Sequence, residues 1–300
     1  MEEKCPSWSA SAAAMTRAAH LLVDDDPKIL QDNFALGLSG FDDEATLRSA
    51  LEAQMAEAIS RTTPLIAKNM IMSYRAFAVM RHRYTEDELE KALEAGISQY
   101  VILGTGLDSF ALRRPDLHQV LDIYEIDHPA TQQWKRQRMQ ALNIAPPPNL
   151  KFLPIDFETK SLTECLKAGD YAINKPAFFS WLGVTQYLTE DAVFKNLQEI
   201  SALAEGSEVV FEYTVLDSLL NEEDRQLLAI FKASAAARGE PWLNQFDPDI
   251  LAEKLMDIGF ASVSDFGPEE ANARYFSGRT DGLRTLRMPH IIKARVGGTF

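Results

Sequence analysis

The sequence predicts an α/β fold: a mostly parallel sheet with helices on both faces, an antiparallel C-terminal edge and a helical N-terminal cap. Three observations predict it. From residue 99 onward, short apolar runs rich in Val, Ile, Phe and Tyr alternate with polar stretches of helical length. The first run, YVIL at 100–103, is apolar throughout, as expected of a strand buried on both faces, and it breaks at once into Gly104 and Gly106. Before it, residues 1–97 read as helical throughout.

Within that leader, SASAAAMTRAAHLL (9–22) is alanine-rich, and DDEATLRSALEAQMAEAIS (42–60) spaces Leu47, Leu51 and Met55 along one helix face. MSYRAFAVMRHRY (72–84) continues the character. YTEDELEKALEAGI (84–97) then offers Thr85 as an N-cap, Glu88 three residues later and Gly96 as a stop, which predicts a separate capped helix. Residues 98–300 form the second region. Its strands are QYVILG, VLDIYEID, LKFLPIDF, PAFFSWLGV and SEVVFEYTVL, with HPATQQWKRQRMQAL, a stretch at 157–168 and TEDAVFKNLQEISALA as the helices between them. A helical insertion at about 217–240 follows the fifth strand. FDPDILAEKLMDIGF (246–260) starts with Asp247 as N-cap and Pro248 at the first helical position, and stops at Gly259. ASVSDFG (261–267) and PHIIKARV (289–296) read as a closing antiparallel hairpin with no full helix between them. APPPN (145–149) is a rigid connection within this region.

Composition narrows the function. A chain of 300 residues, 46% apolar, is long enough to bury a sizeable core. The formal charge of −14 argues against nucleic acid as a partner, because phosphate binding needs a basic face; WKRQRM (134–139) is too short to supply one. No run reaches the roughly 20 apolar residues of a membrane span, and MEEKCPSWSA lacks the apolar core of a secretory signal. Cys5 and Cys165 are too few for a disulfide framework or a thiolate zinc site. The expectation is a cytoplasmic protein without a membrane or nucleic-acid partner.

The chemistry-bearing positions lie at strand tips. Gly104 and Gly106 allow positive φ and bare backbone, which lets a ligand approach the end of the first strand. Asp127 ends the next strand about 20 residues beyond the turn, the spacing at which an acid accepts the ribose hydroxyls of an adenosine. Glu125 has the same strand parity and is the fallback; Asp127 as a helix N-cap before Pro129 is the competing structural role. Asp156 and Phe157 end the third strand, a carboxylate for an adenine amino group beside a ring to cover the base; an Asp-initiated loop is the alternative. The turn continues as Leu107, Asp108 and Ser109, where a dinucleotide fingerprint would need a small residue and no acid beside its pyrophosphate. An acid there suits a cationic cofactor such as S-adenosyl-L-methionine.

Taken in order, GTGLDSFALR, YEIDHP, PIDF and FFSWLGVTQYLT resemble the leucine carboxyl methyltransferase-like family of S-adenosylmethionine-dependent O-methyltransferases, nearest its bacterial, polyketide O-methyltransferase-like branch. The resemblance runs from about residue 15 to the end. It implies a class I methyltransferase (Rossmann-like) fold with a helical cap, and the cofactor S-adenosyl-L-methionine. It implies that Arg81 holds the methionine carboxylate, with Arg75 and Arg83 as neighbours that could take its place and a surface arginine as the structural role, that Gly104 meets the methionine end, that Asp127 takes the ribose, and that Asp156 and Phe157 take the adenine. Leu182 departs from it: the phosphatase-methylating members carry a glutamate there, which speaks against that substrate. The expected activity is methyl transfer to a carboxyl or hydroxyl oxygen of a small molecule, with natural-product assembly as one setting. Tyr187 and Tyr213, near the tips of strands four and five, are the candidate acceptor-lining residues, with core packing as the other role. A carboxylate is ionised at pH 7 and needs no base, whereas a phenol of pKa about 10 gains from one. His82 is the one histidine worth testing in that role, against a structural one, and no catalytic residue is assigned. No metal-ligand spacing occurs. The alternatives are an NAD(P)-dependent oxidoreductase and a non-catalytic cofactor-binding module.

Overall fold

The structure, a computed structural model, describes residues 7–297. The N-terminal region consists of α1 (Trp8–Val23), α2 (Ala35–Ser39), α3 (Glu44–Arg61) and α4 (Pro64–Glu94). A seven-stranded sheet follows: β1 (Gln99–Leu103), β2 (Asp122–Asp127), β3 (Leu150–Pro154), β4 (Phe178–Trp181), β5 (Glu208–Thr214), β6 (Phe260–Phe266) and β7 (Pro289–Val296). Between the strands lie α5 (Phe110–Arg113), α6 (Pro129–Ala141), α7 (Leu162–Ala168), α8 (Glu190–Ser201), α9 (Glu222–Ala236), α10 (Pro248–Asp257) and α11 (Pro268–Tyr275).

The strand order is β3-β2-β1-β4-β5-β7-β6, parallel except for β7, which runs antiparallel to both β5 and β6. The predicted α/β class, parallel sheet and antiparallel edge are all present. The chain leaves β1 toward β2 and β3 on one side and returns to β4 on the other. Order therefore reverses at β1, and in such sheets the crevice at that reversal, beyond the strand C-termini, is where ligands bind. The buried face of each strand follows the two-residue period. Val101, Leu103, Phe179, Trp181, Val209 and Phe211 join one apolar core, while Tyr100, Ile102, Phe178 and Val210 join the other, which receives Phe77, Val79 and Met80 of α4.

Three expectations need correction. Thr85 caps nothing: α4 runs unbroken from Pro64, and the Thr85 hydroxyl donates to the Arg81 carbonyl at 2.8 Å within it. Glu88 instead pairs with Lys91 and with Lys293 of β7 (3.0 Å), so backbone continuity outweighed the local capping pattern. Gly96 does end the helix, at φ +91°. The leader is also not helical throughout, because residues 24–34 form a connection held by Asp24 and Asp32. Finally, β6 and β7 pair antiparallel, but α11 and a long connection separate them, so they are not a hairpin. Asp247 caps α10 as expected, accepting from the Asp249 and Ile250 N–H groups. Cys5 lies outside the described residues. Among those described, no helix is long and apolar enough to cross a membrane.

A chain of buried charges fastens the N-terminal helices to the turn after β1. Arg17 of α1 pairs with Asp32 at 2.8 Å and donates to the Leu107 carbonyl at 2.7 Å. His82 of α4 meets Asp108 at 3.2 Å. Arg113 of α5 reaches Glu86 of α4 and the Ser109 hydroxyl (2.9 Å). Burial lowers the His82 pKa to about 4 despite its Asp108 partner, so the ring is neutral at pH 7. Burial works against ionisation of Asp108 too, but the His82 hydrogen bond and Arg17 outweigh it and hold the carboxyl far below the ordinary range. Removing one member of such a network leaves a buried charge behind. Arg17→Met is expected to destabilise the fold by about 3 kcal/mol, read as a lower denaturant midpoint at unchanged slope; an unchanged midpoint would show the network to be decorative.

Candidate active site

The C-terminal ends of β1 to β4 open into one cavity of about 390 Å³, covered from the other side by α1, α4 and the segment after α9. Six of the seven predicted site residues line it: Arg81, Gly104, Asp127, Asp156, Phe157 and Tyr187.

Gly104 sits at φ +64°, and a Cβ there would lie 2.2 Å from Val184 Cγ2. Gly106 sits at φ +54°, against Ala10 of α1. Two separate constraints therefore require glycine at the first position, backbone conformation and space. The Gly106 N–H donates to Asp127 Oδ2, and the His128 N–H donates to Asp127 Oδ1 at 2.6 Å. One carboxylate thus ties the turn after β1 to the start of α6. Burial pushes the Asp127 pKa up to about 6, against the two N–H donors. The N-cap of α6 is His128, whose Nδ1 accepts from the Ala130 N–H at 3.3 Å, so Asp127 is not the cap.

Glu125, the fallback, is corrected. It does not line the cavity; it pairs with Lys135 of α6 at 2.5 Å, both groups being buried, and burial raises its pKa to about 7. Asp156 accepts from the Glu158 N–H at 3.1 Å through Oδ1 and remains partly exposed at the cavity wall, an Asp-initiated turn with an oxygen to spare. Phe157 is buried with its ring 5.8 Å from Trp181.

Arg81 donates from Nη1 to Glu212 Oε2 of β5 at 2.7 Å, and its Nε is buried without a hydrogen-bond partner. A Cβ on Gly183, at φ +72°, would come within 3.0 Å of that Nη1, so glycine after β4 makes room for the guanidinium. Tyr187 lines the cavity on the short turn after β4, its hydroxyl pKa raised by burial.

Tyr213 is the residue the structure removes from the site. Its hydroxyl donates to Asp265 Oδ1 at 2.6 Å, and His290 Nδ1 meets the other oxygen of Asp265 at 2.7 Å. Strand alternation explains it: Glu212 faces Arg81, so Tyr213 faces the opposite core. His82 is likewise spent on structure, Nδ1 toward Asp108 and Nε2 toward Arg17 Nη1 at 3.5 Å. Asp108 faces that histidine and caps the turn to α5 through the Phe110 N–H at 2.6 Å. Reading the sequence missed Arg17, Tyr74, Gly183, Glu212 and Glu240. Of these only Gly183 left a local signal, a second strand ending in glycine; the others become neighbours through folding.

The donor set fits an adenosine with an amino-acid tail: bare backbone at Gly104, acceptor carboxylates at two adjacent strand tips, and an unpartnered guanidinium Nε. Comparison with known proteins agrees. The family model described as leucine carboxyl methyltransferase matches residues 10–201, well over half the chain. The chain belongs to the leucine carboxyl methyltransferase family. It is an S-adenosylmethionine-dependent methyltransferase, and the oxidoreductase and non-catalytic alternatives fall away. It is 34% identical over 217 residues to a putative S-adenosyl-L-methionine-dependent methyltransferase, YktD, of Bacillus subtilis, covering 71% of this chain and 70% of that one. A second relative of the same description, from Mycolicibacterium paratuberculosis, is 28% identical over 208 residues, with 69% and 67% covered. Among solved structures, a DUF574 family protein from Streptomyces avermitilis superposes with a TM-score of 0.54 at 15% identity, over 79% of this chain and 92% of that one, which bears on the fold alone.

Gly104→Ala is expected to cost about 2 kcal/mol or more, because positive φ and the Val184 contact both penalise it. Gly278→Ala, at φ +75° with nothing within 4 Å, serves as the comparison and is expected to lose only the conformational part, about 1 kcal/mol. Equal losses in chemical denaturation would show that the Val184 contact carries no weight.

Proposed function

We propose that this methyltransferase transfers the methyl group to an oxygen of a small-molecule acceptor, a carboxylate in the first instance. Bound S-adenosylmethionine supplies an electrophilic methyl carbon. The protein's share is to hold and orient: Arg81 takes the carboxylate of the amino-acid tail, the Gly104 backbone meets that tail, and Asp127 accepts from the ribose hydroxyls. Asp156 accepts from the adenine amino group, and Phe157 covers the base. Positioning of this kind is worth up to about 7–11 kcal/mol in well-aligned reactions. Tyr187, with Tyr74 of α4, walls the acceptor side.

What favours a carboxylate is that, among the described residues, the histidines and glutamates on the cavity wall are engaged by protein donors, while Asp127 and Asp156 are assigned to the cofactor. Of the lining histidines, His82 turns its accepting nitrogen to Arg17 and His128 turns its own to the Ala130 N–H. Glu158 accepts from the N–H of Thr189 (3.0 Å) and its hydroxyl (3.1 Å), at the start of α8. Glu240 accepts from the Trp8 and Ser9 N–H groups at 3.0 and 3.2 Å and from the Ser7 hydroxyl at 2.9 Å. An acceptor that arrives ionised needs none of them. Those contacts of Glu240 also support reading the helical leader and the segment at 217–240 as a lid over the acceptor, since they join the two segments where Ser7, Ser9 and Glu240 line the cavity. A role in natural-product assembly rests on the resemblance of the sequence, and a cytoplasmic setting on its composition.

Isothermal titration is expected to show binding of S-adenosylhomocysteine and none of NADH. With methyl-labelled cofactor, carboxylic acids are expected to take up label ahead of phenols; label appearing on phenols alone would overturn the carboxylate reading. Because the acceptor role of Asp127 requires the ionised carboxylate, S-adenosylhomocysteine affinity should fall as pH drops below about 6. Asp127→Asn should bind more weakly at pH 7 and lose that inflection. A wild-type pH profile flat from 7 to 5 would contradict the role.

A further inference from the structure

Arg81 has two edges, and the structure spends only part of them. Nη1 is committed to Glu212, while Nε is buried without a partner and Nη2 has no hydrogen bond among the described residues. The edge left over, Nε with Nη2, is the one that grips a carboxylate in two parallel bonds. Arg75, two turns earlier on α4, does this with Asp24, at 2.8 Å from Nε and 2.6 Å from Nη2. Glu212 itself lies behind Arg81, outside the cavity wall and 5% exposed. It is fixed from the β4 side: the Gly183 N–H donates to its carboxylate, and the Thr185 hydroxyl donates to its backbone carbonyl at 2.6 Å. Arg81 and Glu212 thus enter the site as a neutral pair.

We propose that Glu212 is a specificity-determining residue: it orients the Arg81 guanidinium edge-on to the cavity and cancels its charge, so that the pair accepts a zwitterionic amino-acid tail and discriminates against a bare anion. This rests on the reading of Arg81 as the holder of the tail carboxylate. The electrostatics are direct. A tail bearing both ammonium and carboxylate adds no net charge to the neutral pair, whereas a tail bearing carboxylate alone leaves one uncompensated negative charge in a dry site. Burial raises the Glu212 pKa against the pull of Arg81, so the pair has one way to relieve such an excess, by taking up a proton at Glu212. Deleting the charge at position 212 removes the repulsion from the anionic tail more than it changes binding of the zwitterion.

The test uses three ligands on the intact protein by isothermal titration: S-adenosylhomocysteine, its des-amino analogue, which keeps the carboxylate, and 5′-methylthioadenosine, which has no tail. Wild type is expected to prefer S-adenosylhomocysteine over the des-amino analogue, and Glu212→Gln to shrink that preference by about tenfold, the order expected of one nearby buried charge. A preference changed by less than about twofold overturns the inference. Arg81→Gln separates the two levels. If it abolishes the preference for S-adenosylhomocysteine over 5′-methylthioadenosine while Glu212→Gln leaves the des-amino preference intact, the inference about Glu212 alone fails. If Arg81→Gln leaves that preference intact, the underlying reading of Arg81 fails. Should Glu212→Gln not fold, wild type answers by titration in buffers of different ionisation enthalpy: any exchange at Asp127 is common to both ligands, the des-amino analogue is expected to take up more protons on binding than S-adenosylhomocysteine does, and equal exchange overturns the inference.

Discussion

Two backbone N–H groups from adjacent strand ends converge on the carboxylate of Asp127, and the cavity is built around that convergence. Gly106 belongs to the turn after β1 and His128 to the start of α6; neither N–H has a strand or helix partner of its own. By accepting from both, Asp127 ties the glycine turn after β1 to the start of α6 at the cavity wall. The turn has positive φ at both Gly104 and Gly106, and Val184 closes the space that a side chain on Gly104 would fill. The rise of the Asp127 pKa is the electrostatic cost of placing that charge where water is scarce.

Around the same end of the sheet several buried charges are paired across elements. Arg17 with Asp32, His82 with Asp108, Arg113 with Glu86, Lys135 with Glu125 and Arg81 with Glu212 each join two different segments, the last across 131 residues. Buried pairs contribute little net stability compared with apolar packing, but they penalise wrong arrangements heavily, since a displaced partner leaves a bare charge. Here they register α1 and α4 on the glycine turn. The helical region and the sheet therefore meet at the site through bonds with defined geometry, where apolar contact alone would tolerate sliding.

Histidine chemistry at the site follows from this economy. Both histidines on the cavity wall point their accepting nitrogen at a protein donor, one an arginine and the other a helix N–H. A ring so engaged is held in place by the protein. That constraint, together with the engaged Glu158 and Glu240, is what bears on the acceptor proposed for the enzyme.

The sequence by itself determined the class of fold and the strand tips. Apolar runs, glycine breaks and helix periods are local properties, and Gly104, Asp127, Asp156 and Phe157 could be read from them because each sits beside a strand that announces itself. It did not determine whether Thr85 begins a helix, since the hydrogen bonds that carry α4 through that position depend on residues before it. Nor could it separate Glu125 from Asp127, Tyr213 from Tyr187, or a catalytic from a structural His82. Residues of equal chemistry and parity differ only in what folds against them. Lys135 claims Glu125, Asp265 claims Tyr213, and Asp108 with Arg17 claims His82. Glu212 reaches Arg81 across 131 residues. Pairings of that span are set by the packing of sheet on helix, and so only the tertiary structure decided them.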